Sequence, residues 1–71
     1  MKSVADMEVG QKATIVSLKM ENQETIRKLM ALGIVVGSDV ELIQKFPTYV
    51  IKVGHTQIAI DETIASAIFI S

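Results

Sequence analysis

Arg27-Lys28-Leu29-Met30-Ala31-Leu32-Gly33-Ile34-Val35-Val36-Gly37 is the stretch whose reading decides the fold. A helical pattern stops at Gly33, three β-branched residues follow, and Gly37 turns the chain into a strand-like run. Gly33 suits a left-handed position just past a helix, where a Cβ would cost energy. The segment therefore reads as a tight helix-to-strand corner.

Working back from this corner, Asn22 is a good helix N-cap, and Glu24 places a carboxylate in the positively polarised first turn. The helix is expected over 23–32, with Ile26, Leu29, Met30 and Gly33 on a buried face. Glu24, Arg27, Lys28 and Ala31 then lie on the outward face. Before the helix, a turn at Gly10 leads into a long strand over 11–20, centred on Ile15, Val16 and Leu18. Residues 3–10 read only as a lead-in.

Beyond Gly37, a strand is expected over 40–46. Pro47, which cannot donate to a ladder, interrupts it. Strands over 49–53 and 56–60 flank Gly54-His55, a two-residue hairpin loop with Gly at the first central position, as a type II′ turn requires. This loop sets the register: Val53 opposite Thr56, Lys52 opposite Gln57, Ile51 opposite Ile58, and Tyr49 opposite Ile60. Alternation then sends Tyr49, Ile51, Val53, Ile58 and Ile60 inward and leaves Lys52 and Gln57 in solvent. Asp61 caps a short helical turn over 62–65, and a last strand covers 67–70. Val9-Gly10 and Val36-Gly37 each lead into a strand, as reuse of one turn type.

Seventy-one residues make one domain with a small core. With no cysteine, neither a disulfide nor a thiolate metal site can supplement that core. Nearly half the residues are hydrophobic (49%), and the β-branched, aliphatic character favours sheet. The formal charge of −1 lacks the basic excess of a dedicated nucleic-acid binder. The N-terminus has no apolar core of a signal peptide, and no run approaches the ~20 apolar residues of a membrane span. A soluble, cytosolic chain is expected, with any membrane role arising through a partner. Five short strands, one helix and one helical turn predict a mostly β fold, a small closed SH3-like barrel.

Three pieces of the chain, in this order and spacing, resemble the ferrous iron transport protein A (FeoA) family. They are Val9-Gly10 with the strand after it; Lys28-Leu29, Leu32-Gly33 and Gly37; and Ile58-Ala59-Ile60 with the acidic pair, Ala65 and the final apolar strand. The family often has Pro before both turn glycines, where this chain has Val9 and Val36. The resemblance implies the SH3-like barrel. It also implies a cytosolic accessory module of ferrous iron uptake, peripheral to the inner membrane, whose partner is FeoB, a membrane transporter with a GTP-binding domain. A second reading, from the resemblance to the C-terminal domain of metal-dependent repressors, is a free-standing regulatory domain. Transition-metal binding attaches to that family association.

The candidate chemistry is sparse. His55, the single histidine, fits a solvated hairpin tip better than a general base or metal ligand. Asp61 and Glu62 are the obvious oxygen ligands, but six residues of strand place them roughly 20 Å from His55. They are better explained as a helix N-cap and a first-turn carboxylate. No nucleophile motif or phosphate-binding loop is present, so an enzyme is not expected, and no catalytic, cofactor or metal residue is assigned. Gly10, Gly33, Gly37 and Gly54 are assigned to turns. The expected partner surface is Arg27, Lys28 and Ala31, which carries the chain's one adjacent basic pair. Neither a nucleic acid nor a small-molecule substrate is expected.

Overall fold

The computed structural model describes residues 2–71. The order of elements is β1 (Lys2–Ser3), a 3₁₀ turn (Val4–Asp6), β2 (Lys12–Leu18), α1 (Gln23–Ala31), β3 (Asp39–Gln44), β4 (Tyr49–Val53), β5 (Thr56–Ile60), α2 (Glu62–Ala67) and β6 (Ile68–Ile70). All pairings are antiparallel, in the spatial order β1-β6-β2-β3-β4-β5.

The barrel curvature comes from β2. Lys12, Ala13 and Thr14 pair with β3, whereas Ile15, Ser17 and Leu18 pair with β6. Where the two ladders meet, both flanks of the strand are bonded: Thr14 exchanges hydrogen bonds with Ser71 (3.1 and 2.9 Å), and Ile15 donates its N–H to the Ser38 carbonyl at 2.9 Å. Val16 is the extra residue of a bulge between Ile15 and Ser17, which bends the strand and leaves Val16 exposed. A second bulge, at Ile43 in β3, separates Leu42 (opposite Ile51) from Gln44 (opposite Val50).

The β4–β5 hairpin has the register set by its loop, with Tyr49 opposite Ile60, Ile51 opposite Ile58, Lys52 opposite Gln57 and Val53 opposite Thr56. Gly54 has φ +62°, and no non-glycine residue has positive φ among those described, so His55 is negative and the turn is type II′. Ile51, Val53, Ile58 and Ile60 are buried, Tyr49 packs partly buried against them, and Lys52 and Gln57 are exposed.

The glycines at 10 and 37 occupy the same position of the same turn. Gln11 N–H donates to Glu8 O at 2.9 Å, and Ser38 N–H donates to Val35 O at 3.1 Å. In both, the third residue is a glycine at φ near +90° (+90° and +97°) after a valine at negative φ, which makes type II turns. Each glycine N–H is then used across the sheet, Gly10 to Leu42 O and Gly37 to Ile15 O, both at 2.8 Å.

Several expectations need correction. Among the described residues there are six strands rather than five, because residues 2–3 pair with Phe69 and Ile70 as β1. Residues 3–10 are more than a lead-in: Val4 and Met7 are fully buried. Ser3 N–H and Oγ–H both donate to the Asp6 carboxylate (2.9 and 3.3 Å), which tightens the 3₁₀ turn that aims those two side chains inward. The first long strand is shorter than 11–20, and the next ends at Gln44, so Phe46 lies outside it. α2 extends to Ala67 and β6 begins at Ile68. Finally, no ladder among the described residues joins β5 to β1, so the barrel has one open seam.

Candidate functional site

α1 is capped as the sequence demands. Asn22 Oδ1 accepts from the N–H groups of Glu24 (2.9 Å) and Thr25 (3.3 Å). Leu29 is the buried residue of the helix, and Ile26 is half-buried. Arg27, Lys28 and Ala31 are exposed, as their spacing predicts. Met30 is not buried: it is 52% exposed, and Leu32 is 45% exposed. Leu29 is the helix residue that joins the core, with Ile26 and Gly33 half-buried on its side, and Met30 lies about 100° further round the helix from Leu29. A helix of nine residues resting on a small barrel buries only that narrow line. The result is a surface on which a basic pair adjoins two uncovered apolar side chains.

Phe46, placed by the sequence at the end of the strand over 40–46, lies beyond β3 and is 87% exposed. It lines a shallow hollow with Pro47, Tyr49, Ile60, Asp61 and Glu62. The signal available in sequence was its place directly before Pro47, where a strand ends. Asp61 is an N-cap in fact, its Oδ1 accepting from Ile64 N–H at 2.7 Å.

His55 sits at the hairpin tip and Asp61 at the far end of β5, so one chain does not bring them together. Among the described residues, no three of His, Asp and Glu converge as metal ligands. The carboxyl of Asp6 sits in a cluster of donors at the 3₁₀ turn. The backbone N–H of Ser3 holds its carboxyl below the usual carboxylate range; desolvation opposes this, and the Ser3 hydroxyl, Lys45 and Lys2 reinforce it. Lys45 Nζ donates to Met7 O at 2.9 Å, so this cluster clamps the 3₁₀ turn to β3's end and is structural.

A sequence model of the FeoA domain matches residues 2–71. The chain belongs to the FeoA family. Iron(II) transport protein A from Clostridium thermocellum superposes with a TM-score of 0.88 at 26% identity, over 97% of this chain and 44% of that one. FeoA of Stenotrophomonas maltophilia, solved as a zinc complex and described as a prokaryotic SH3 domain protein, gives 0.87 at 22% identity, over 100% and 91%. IdeR of T. acidophilum gives 0.89 at 21% identity, over 99% of this chain and 33% of that one. No curated protein sequence matches the chain. The likeness to IdeR, at this identity, shows a shared fold. The FeoA fold is thus the expected mostly β, SH3-like one, and its family is that of ferrous iron transport. Among the described residues, no helix of this FeoA domain is long and apolar enough to cross a membrane.

Proposed function

We propose that this FeoA domain is a non-enzymatic binding module of ferrous iron uptake that docks, on the cytoplasmic side, onto a FeoB-type membrane transporter carrying a GTP-binding domain. The observation that carries this reading is the outer face of α1. Arg27, Lys28 and Ala31 are exposed on it, and Met30 and Leu32 remain half uncovered beside them. Apolar side chains that the core does not take supply contact energy on binding, and flanking charges steer and orient an acidic partner surface. Met adapts its shape to such a surface. Iron is the transporter's cargo, and the domain touches the protein that moves it. The experiment is capture from detergent-solubilised membranes of the source cells on the immobilised domain, with bound proteins identified by mass spectrometry. Recovery of the GTP-binding transporter is expected; its absence from the eluate while the domain stays folded would remove the reading.

A further inference from the structure

The two ends of the sheet are treated differently. β1 is two residues long and carries Lys2, which is how edge strands are ordinarily kept from pairing. β5 is five residues, Thr-Gln-Ile-Ala-Ile, with no charge, no proline and no bulge against β4. Among the described residues it pairs with β4 alone. Because Val53 and Thr56 flank a two-residue loop, they form a hydrogen-bonded pair, and Thr56, Ile58 and Ile60 turn their backbone groups toward β4. The N–H and C=O groups of Gln57 and Ala59 therefore point outward along the open seam, and both residues are exposed.

We propose that the β5 edge pairs with the β5 edge of a second copy of this chain, antiparallel about Ile58. In that register, Gln57 lies opposite Ala59 of the second copy and Ala59 opposite its Gln57. Each is a hydrogen-bonded pair, so the four outward groups of each strand, eight in all, are satisfied. The symmetry follows from the strand itself: two outward residues placed equally about a central one make the edge its own complement. Ile58, still 9% exposed, meets Ile58 of the second copy at the centre and loses its remaining contact with water. No like charges oppose each other within β5. Just beyond it, the hairpin tip that carries His55 comes near the Asp61 end of β5 in the second copy, an imidazole near a carboxylate that one chain holds apart. The guarded β1 edge makes the contact closed, giving a dimer and not a fibre. The interface is small, so the dimer is weak and concentration-dependent. This inference stands independently of the transporter reading, since it uses a different edge of the molecule.

The absence of cysteine allows a test of register. Chains carrying Gln57→Cys and chains carrying Ala59→Cys are mixed at about 1 mM and oxidised. Opposed Cα atoms about 5.5 Å apart can form a disulfide, whereas the same position in the two copies is roughly 8–9 Å apart and cannot. Covalent dimer is expected in the mixture and not in either variant alone. Dimer of equal yield in the separate variants, or none in the mixture, overturns the proposal. Sedimentation of the parent chain and of Ala59→Pro gives a second reading, because proline removes an N–H that β4 does not use. The parent is expected to associate as concentration rises and folded Ala59→Pro to remain monomeric; equal association of the two overturns the proposal.

Discussion

The N–H of Ile34 donates to the carbonyl of Leu29 at 2.8 Å, and the side chains of the same two residues are both buried in the core. Between them, Gly33 N–H donates to Met30 O at 3.0 Å with φ +94°. The two bonds and the apolar contact make a Schellman motif, which satisfies the last helix carbonyls and fixes the direction in which α1 leaves the barrel. The outward angle of Arg27 and Lys28 depends on this corner.

Gly33→Ala tests it. A methyl group there would meet only Val53 Cγ1 at 3.9 Å, so space is available. The cost is the left-handed backbone, on the order of 1–2 kcal/mol. Thermal melts should show that loss. An unchanged melting temperature would mean the corner relaxes freely.

Val9→Pro and Val36→Pro should each raise stability by about 0.4–1 kcal/mol. Both valines are the second residue of a type II turn, where a φ near −65° is already required, and both side chains are exposed (62% and 61%). The gain comes from a less disordered unfolded chain. Denaturant titration measures it, and a loss at either site would show that the valine N–H is needed.

Ile51→Asp should unfold the domain, and Lys52→Asp should not. Ile51 is fully buried, and a carboxylate there costs on the order of 4–5 kcal/mol or more, against a total stability of roughly 4–10 kcal/mol for this length. Lys52 is exposed, and its replacement costs at most the opposed charge of Glu41 on β3, about 0.2–1 kcal/mol. Circular dichroism of both variants decides the point; equal damage would contradict the facing of β4.

Acid sensitivity should trace in part to Asp6. Its carboxyl is held below the ordinary value in the folded chain, so the unfolded state binds the proton at higher pH. The stabilisation is present above the unfolded carboxylate range and fades as pH falls through the folded value. Asp6→Asn should flatten that part of the stability–pH curve relative to the parent. An identical acid limb in both would assign it to other carboxylates.

Much of the barrel is legible in the sequence, for reasons particular to each element. A two-residue loop has one compatible register, so Gly54-His55 specified the β4–β5 pairing residue by residue. Asn22 and Gly33 bounded α1 within a residue. What sequence periodicity could not show was nonlocal. β1 and the 3₁₀ turn are too short to carry a period, and the burial of Val4 and Met7 depends on α2 and β6 closing over them. Bulges at Val16 and Ile43 interrupt the alternation of β2 and β3, which a local sequence pattern does not announce. Met30 followed a helical stripe that the core is too narrow to cover. The basic pair on α1 was readable from spacing, whereas the apolar neighbours that turn it into a candidate surface appear only once the exposures of Met30 and Leu32 are known.

The outer face of α1 is the surface proposed to dock on the iron transporter. The most direct measurement is co-purification of the transporter with the parent domain and with the double variant Arg27→Glu, Lys28→Glu. Both side chains are exposed, so the melting temperature should move little. Reversing the charge repels an acidic surface that the parent attracts, and the folded variant should recover at least tenfold less transporter, with slower cellular ferrous uptake. Transporter recovery and iron uptake equal to the parent's, in a variant that melts normally, would contradict the account.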